Sequence, residues 1–176
     1  MKKPAALSYL DMGAIPPGPD EKYRYVLWRQ LREGTKTLLW IALNPSKASA
    51  TTEDPTLGRF VSFGREWGFD AIRVANLFAL RGTDPRCLEP NYADAIGPEN
   101  DAHLRREAEK ADKIVVAWGA RETMGRDNAV LRLLSCYGDV YAFEGEKGKS
   151  YPPHPLYLKA TRSLVLYRRK KVEAAP

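Results

Sequence analysis

The chain has 176 residues, of which 44% are hydrophobic and 28% are charged; this length and composition are typical of one globular domain rather than two. No run of about 18 apolar residues occurs, which excludes a transmembrane helix, so we expect no membrane partner. The two cysteines, Cys87 and Cys136, cannot form a disulfide framework, so we expect a reducing, cytoplasmic location. The formal net charge is +6 and the pI is about 9.3, which favours anionic partners such as DNA or a nucleotide.

The chain is expected to divide into a lead-in, one domain and a tail. Residues 1–20 hold four prolines and two glycines without a lasting period, which predicts an irregular segment. Residues 21–167 are predicted to form a single α/β domain. Residues 168–176 begin with a run of positive charges and are expected to be a basic, flexible tail.

Apolar runs of strand length alternate with helical stripes along the domain. Thr37–Leu43 is continuously apolar, as in a strand buried on both faces of a parallel sheet. Apolar residues over Thr56–Trp67 recur at helical spacing and predict a helix that opens at Asp54 or Pro55.

The remaining elements follow the same alternation. Further strands are predicted at Tyr23–Leu31, Ala71–Leu77, Lys113–Trp118, Asp139–Phe143 and Leu164–Tyr167, with helices from Pro98 to about Lys110 and from Asp127 or Asn128. This order predicts a three-layer α/β/α sandwich around a central, mostly parallel four-stranded sheet.

Polar residues stand where the predicted parallel strands end. Asn44, Pro45 and Ser46 follow the Thr37 strand, Asn76 ends the next one, and His154 comes after the Asp139 strand. Because the carboxyl ends of parallel strands share one rim, these residues are expected to converge on one crevice. Gly119, which ends the Lys113 strand, permits close backbone approach there.

These residue types suit the recognition of a nucleobase. An Asn amide offers a donor and an acceptor for bidentate pairing with a base edge, and a His can stabilise developing negative charge. Phe78, Trp118 and Tyr157 are candidates for stacking on a base. Each polar residue also has a structural interpretation: Asn44 as a turn residue, Asn76 as a strand-end cap and His154 as a semi-buried structural histidine.

Other chemistries lack their motifs. The chain has no Gly-x-Gly-x-x-Gly, Walker or Gly-x-Ser-x-Gly sequence, so we expect no dinucleotide cofactor and no nucleophile elbow. Two histidines and two distant cysteines, Cys87 and Cys136, make a metal site unexpected. His103 falls on a polar helix and is expected to face solvent.

The motifs together resemble a bacterial and phage family known only as a domain of unknown function. The matching segments are Leu43–Ser46, Asp54–Thr56, Asn76–Ala79, Gly97–Asp101, Ala117–Ala120 and His154–Leu158. More distantly, the chain resembles the uracil-DNA glycosylase superfamily. That superfamily has an Asn-Pro motif after a strand, a base-reading Asn at a later strand end and a late His-Pro motif.

The second resemblance implies a glycosylase-like fold and roles for particular residues. Asn44 would position a water at the sugar carbon, Asn76 would read the base, and His154 would stabilise the departing base. The expected function is therefore nucleobase recognition with hydrolysis of an N-glycosidic bond in DNA or a nucleotide. Ala42, Ser46 and Leu156 stand where the superfamily has Gly, Gly and Ser, and these departures favour the alternative of a non-catalytic nucleic-acid or nucleotide-binding module.

Overall fold

The sheet of this protein has a parallel centre and antiparallel edges. The structure, a computed structural model, describes residues 9–18, 21–46, 48–82, 92–145, 150–159 and 161–169. Within them seven strands form one sheet: β1 (Asp11–Ile15), β2 (Val26–Gln30), β3 (Thr37–Ala42), β4 (Ala71–Asn76), β5 (Lys113–Val116), β6 (Val140–Phe143) and β7 (Leu164–Arg168). Their order is β1-β2-β4-β3-β5-β6-β7. The four central strands run parallel, whereas β1, β2 and β7 join antiparallel.

Helices cover both faces of the sheet because the central strands are apolar on both sides. The helices are α1 (Pro55–Glu66), α2 (Tyr92–Ile96), α3 (Asn100–Lys110) and α4 (Arg126–Leu134), followed by a 3₁₀ turn at Pro155–Tyr157. Alternate residues of β3 point to opposite faces, as the pleat requires. Trp40 packs with Phe60 of α1, at 4.6 Å between ring centroids, whereas Ile41 belongs to the core cluster that contains the buried side chains of α3 and α4.

The predicted mixed α/β class is confirmed, but the predicted sheet of four strands is wrong in size. The four-strand estimate covers the parallel centre, and β2 and β7 match the two additional strands predicted at Tyr23–Leu31 and Leu164–Tyr167. β1 lies in the lead-in expected to be irregular, where it pairs with β2. β1 has only five residues and is followed by Pro16 and Pro17, so the strand signal in the sequence is weak there. The pairing with β2 stabilises the strand.

The expected start of the tail at residue 168 and the expected exposure of His103 both differ from the structure. Arg168 ends β7 rather than beginning the tail, and residues 170–176 lie outside the described residues. His103 does not face solvent: its side chain is buried, and its ring stacks on Tyr25 at 4.8 Å and 10°. This contact joins segments far apart in the chain, so helix periodicity alone does not reveal it. No helix in the described part of the chain is long and apolar enough to cross a membrane.

Candidate functional site

A crevice of about 670 Å³ lies at the carboxyl edge of the parallel strands. Asn44, after β3, and His154, before the 3₁₀ turn, both line it, together with Trp118 and Gly119 after β5. The sheet order explains this convergence, because β3 and β5 are neighbours and their carboxyl ends open on the same rim. The volume falls in the ordinary range of small-molecule sites, about 300–1,000 Å³.

Leu43, Asn44 and Ser46, from the connection between β3 and α1, line the crevice, and two buried arginines bind carbonyl oxygens further along that connection. Arg24 donates to the carbonyl oxygen of Ala48, and Arg29 Nη2 donates to that of Ser49 at 2.9 Å. Both guanidinium groups lie in the interior, where hydrogen bonds to carbonyls offset part of the cost of burying a charge. Burial lowers the pKa of Arg24 to about 10, which leaves it protonated at neutral pH.

Asn44 uses its amide nitrogen within the protein. Nδ2 donates to the carbonyl oxygen of Gly82 at 2.8 Å and to that of Pro45 at 3.4 Å. Gly82 in turn donates its backbone N–H to Pro45 at 3.0 Å. The amide therefore joins the β3 end to the segment after β4, and Oδ1 is the atom that can serve a ligand or a water.

The carboxylate of Asp54 lies beside Ser46. The sequence motifs did not indicate Asp54 as a functional residue. Asp54 is the N-cap of α1, where its Oδ1 accepts the backbone N–H of Leu57 at 2.8 Å, as expected for a residue that opens a helix. Its Oδ2 also accepts a hydrogen bond from the Ser46 hydroxyl. A carboxylate has about four acceptor positions, so Asp54 can accept a further hydrogen bond while it caps the helix.

His154 is held as a neutral donor. Its Nδ1 accepts the backbone N–H of Leu156 at 3.3 Å, which assigns the proton of the neutral ring to Nε2. Burial lowers the pKa of His154, and the carboxylate of Asp54 opposes that shift. The imidazole is therefore uncharged at neutral pH, and Asp54 lies near enough to act on it electrostatically.

The segment carrying His154 is fixed to both neighbouring elements. Arg59 of α1 donates to the carbonyl oxygen of Leu158 at 2.5 Å and to that of Pro155 at 3.4 Å. Gly119 donates its backbone N–H to Pro152 at 2.9 Å, and a Cβ on Gly119 would lie 3.3 Å from the Cβ of His154. The absence of a side chain at Gly119 therefore lets the histidine segment approach the end of β5.

A smaller cavity of about 30 Å³ adjoins the crevice, and Asn76 lines it. Asn44 and Ser46 line both spaces. The Asn76 side chain is 2% exposed, and its Nδ2 finds no hydrogen-bond partner among the described residues. A buried donor without a partner costs about 1–3 kcal/mol, so this amide is an expected point of contact for a water or a ligand atom. The space suffices for one or two waters.

The backbone of Asn76 is held from behind by a buried polar network. Asn100 Nδ2 donates to the carbonyl oxygens of Asn76 at 3.1 Å and Leu77 at 3.0 Å. Arg126 Nε also donates to Leu77, at 2.9 Å, and forms an ion pair with Asp101. This network gives a structural role to the Gly97–Asp101 motif.

Not every predicted residue lines the crevice. Phe78 is fully buried against Tyr92, with ring centroids 5.6 Å apart, so its ring has no face for a base. Trp118 lines the crevice while its ring meets Tyr167 edge-on. Pro45 is not part of the crevice lining, and its carbonyl oxygen accepts hydrogen bonds from Gly82 and Asn44. Tyr157 lies in the 3₁₀ turn, and its side chain is outside the described part of the chain.

Sequence reasoning missed Arg24, Asp54 and Arg121 as site residues. Arg24 and Asp54 line the smaller cavity, and the exposed Arg121 lines the crevice. The signal for Asp54 was present, because a helix N-cap that follows a strand end falls on the carboxyl rim. Within the described ranges no cluster of three His, Cys, Asp or Glu side chains could hold a metal ion.

Comparison with known proteins gives one match. A family model described as "Protein of unknown function (DUF1643)" matches residues 24–156. That range contains every strand from β2 to β6 together with Asn44, Ser46, Asn76 and His154. Searches of curated proteins and of solved structures gave no match.

Proposed function

We propose, for a chain that belongs to the DUF1643 family of proteins of unknown function, that the crevice binds a nucleobase and hydrolyses its N-glycosidic bond. The substrate is DNA or a nucleotide, as the resemblance to the uracil-DNA glycosylase superfamily implies. The observation that carries the proposal is the buried, unpartnered amide nitrogen of Asn76 beside a crevice lined by Asn44 and His154.

In the proposed binding mode a base occupies the larger cavity and inserts one edge into the smaller one. A base in the larger space would present an edge toward the smaller space, where Asn76 supplies a donor. That edge gains a hydrogen bond that the protein itself leaves unmade. A ligand without an acceptor at this position would leave Asn76 Nδ2 buried and without a hydrogen bond. A ligand with an acceptor there is therefore favoured.

The chemistry follows from His154, Asp54 and Asn44. Water adds to the anomeric carbon of the sugar, and the base leaves with the electron pair of the broken C–N bond. His154 Nε2–H donates to the charge that develops on the base, without itself having to lose a proton. The carboxylate of Asp54 accepts the proton of the attacking water, and Asn44 Oδ1 orients that water.

Arg121 in the crevice lining and the positive net charge of the chain support binding to a phosphate-bearing substrate. Arg121 lies exposed in the crevice lining, and the whole chain carries a net charge of +6. A base attached to a phosphodiester backbone must leave the stack to reach such a crevice, and the cations would hold the flanking phosphates.

One observation favours a second candidate, a binding module without catalysis. Asn44 donates both amide hydrogens to backbone carbonyls, which is a sufficient structural reason for its presence. Ala42, Ser46 and Leu156 also depart from the glycosylase motifs. In that case the crevice binds the base through Asn76 and His154, and no bond is broken.

Incubation with oligonucleotides that carry uracil, hypoxanthine or modified bases tests the proposal. Abasic sites, detected by alkaline strand cleavage, are the expected product. Asn76→Ala and His154→Ala should each lower the rate at least tenfold, about 1.4 kcal/mol of transition-state stabilisation. Asn128→Ala, at an exposed asparagine of α4, is the control and should retain the full rate.

The same experiment separates the two candidates. Binding that weakens with salt and with Asn76→Ala, but yields no abasic product from any substrate, identifies the binding module. Abasic product that persists at the full rate in both crevice variants would refute the proposed site.

A further inference from the structure

A second cavity, of about 310 Å³, lies at the opposite edge of the sheet. Its lining includes Lys36, directly before β3, Lys113, the first residue of β5, and Arg162, shortly before β7. Trp67 and Phe69, which follow α1, supply aromatic surface. Six residues of β3 separate this amino edge from the carboxyl edge, a distance of about 20 Å at the rise of a strand, so this space is separate from the crevice.

The lining carries an excess of positive charge. Among the described residues, Lys36, Lys113 and Arg162 form no ion pair within 4.0 Å, and Asp112 is the one carboxylate in the lining. Asp112 Oδ2 already accepts the backbone N–H of Thr37 at 2.7 Å. Three cations around one carboxylate leave a field that attracts an anion.

The aromatic part of the lining packs against the core and against two lysine side chains. Trp67 is partly exposed, and it stacks from behind on the buried Trp40, at 5.6 Å between ring centroids. Lys36 Nζ lies 4.8 Å from the centre of the Phe69 ring, and Lys113 Nζ lies 4.4 Å from that of Tyr141. Cation–π contacts keep the two ammonium groups near the cavity without neutralising them.

We propose that this amino-edge cavity binds a small aromatic anion of mononucleotide size. Its ring would lie against Trp67, and its phosphate would be held by Lys36, Lys113 and Arg162. The volume is at the lower end of the range for small-molecule pockets, which suits one base and one phosphate rather than a larger cofactor. The cations also have a structural explanation, because the dipole of α1 favours positive charge beside its carboxyl end. The experiment below separates this structural role from ligand binding.

Titration of the full chain with UMP and AMP, followed by backbone amide NMR, tests the proposal. The amides of Lys36, Phe69 and Lys113 should shift and saturate with both nucleotides. Uridine, which lacks the phosphate, and inorganic phosphate, which lacks the ring, should each bind at least fivefold more weakly at these amides. Amides of Asn44 and Gly119 report the crevice separately in the same spectra.

A double variant at the cavity and a single control variant elsewhere locate the ligand. The double variant Lys36→Gln/Lys113→Gln should weaken nucleotide binding at the amino edge at least fivefold. Arg105→Gln, at an exposed position of α3, changes one charge elsewhere and should alter it less than twofold. Nucleotide-induced shifts confined to the crevice, equal binding of uridine or inorganic phosphate, or unchanged affinity in the double variant would each overturn the proposal.

Discussion

Replacing Gly119 by alanine tests whether close packing at the end of β5 positions His154. Gly119 has a φ of +79°, a left-handed conformation that costs an L-residue about 1–2 kcal/mol. An alanine Cβ would also lie 3.3 Å from the His154 Cβ, so the histidine segment must yield by a few tenths of an ångström. The expected result is a loss of about 1–2 kcal/mol in unfolding free energy together with a displaced imidazole.

Gly125→Ala is the matched control. Gly125 also has a φ of +79°, and a Cβ there meets nothing within 4 Å. Urea unfolding should therefore give similar losses for both variants, whereas NMR titration of the His154 ring should change only in Gly119→Ala. If the ring resonances and titration of His154 are the same in both variants, the inferred packing role of Gly119 is refuted.

Three other predictions concern the supports of the site and the second histidine. Asn100→Ala removes two hydrogen bonds, to the carbonyl oxygens of Asn76 and Leu77, and denaturant unfolding should show a loss of about 1–3 kcal/mol. A loss below about 0.5 kcal/mol, half of the net value of one hydrogen bond, would contradict this. Arg59→Ala frees the 3₁₀ turn from α1 and should accelerate amide exchange there, whereas Arg105→Ala should not. Burial lowers the pKa of His103 below the usual 6.5, so the unfolded state takes up a proton first as the pH falls. The unfolding free energy should therefore decrease below about pH 6.5. His103→Gln should reduce that decrease, and a variant with the same pH profile as the parent protein would contradict this prediction.

The sheet centre was predictable because its signals are local. The apolar run Thr37–Leu43 corresponds to β3, and the helical stripe over Thr56–Trp67 corresponds to α1, with Asp54 as its N-cap. Each signal depends on neighbouring residues that share one element. The five-residue β1 was missed because its stability comes from pairing with β2, which is a contact between separate segments.

The sequence allowed us to predict which edge of the sheet carries the candidate site, but not the side-chain contacts within it. Strand ends place Asn44 and Asn76 on one edge, as expected. The burial of Arg24 and the hydrogen bond from Ser46 to Asp54 are tertiary contacts of the connection between β3 and α1, and the patterns that predict strands and helices do not report them. Phe78 was predicted from its place in the motif to stack on a base. Its ring is instead packed in the hydrophobic core against Tyr92.

The most direct test of a nucleobase-binding crevice is the side-chain amide signal of Asn76. Titration with free uracil and hypoxanthine should shift this NH₂ resonance in a saturable manner, because its Nδ2 is buried without a partner among the described residues. The backbone amide of Gly119 should respond with the same affinity, and His154→Ala should weaken both responses. If no base perturbs the Asn76 resonance at concentrations up to its solubility, the crevice does not bind nucleobases through this amide.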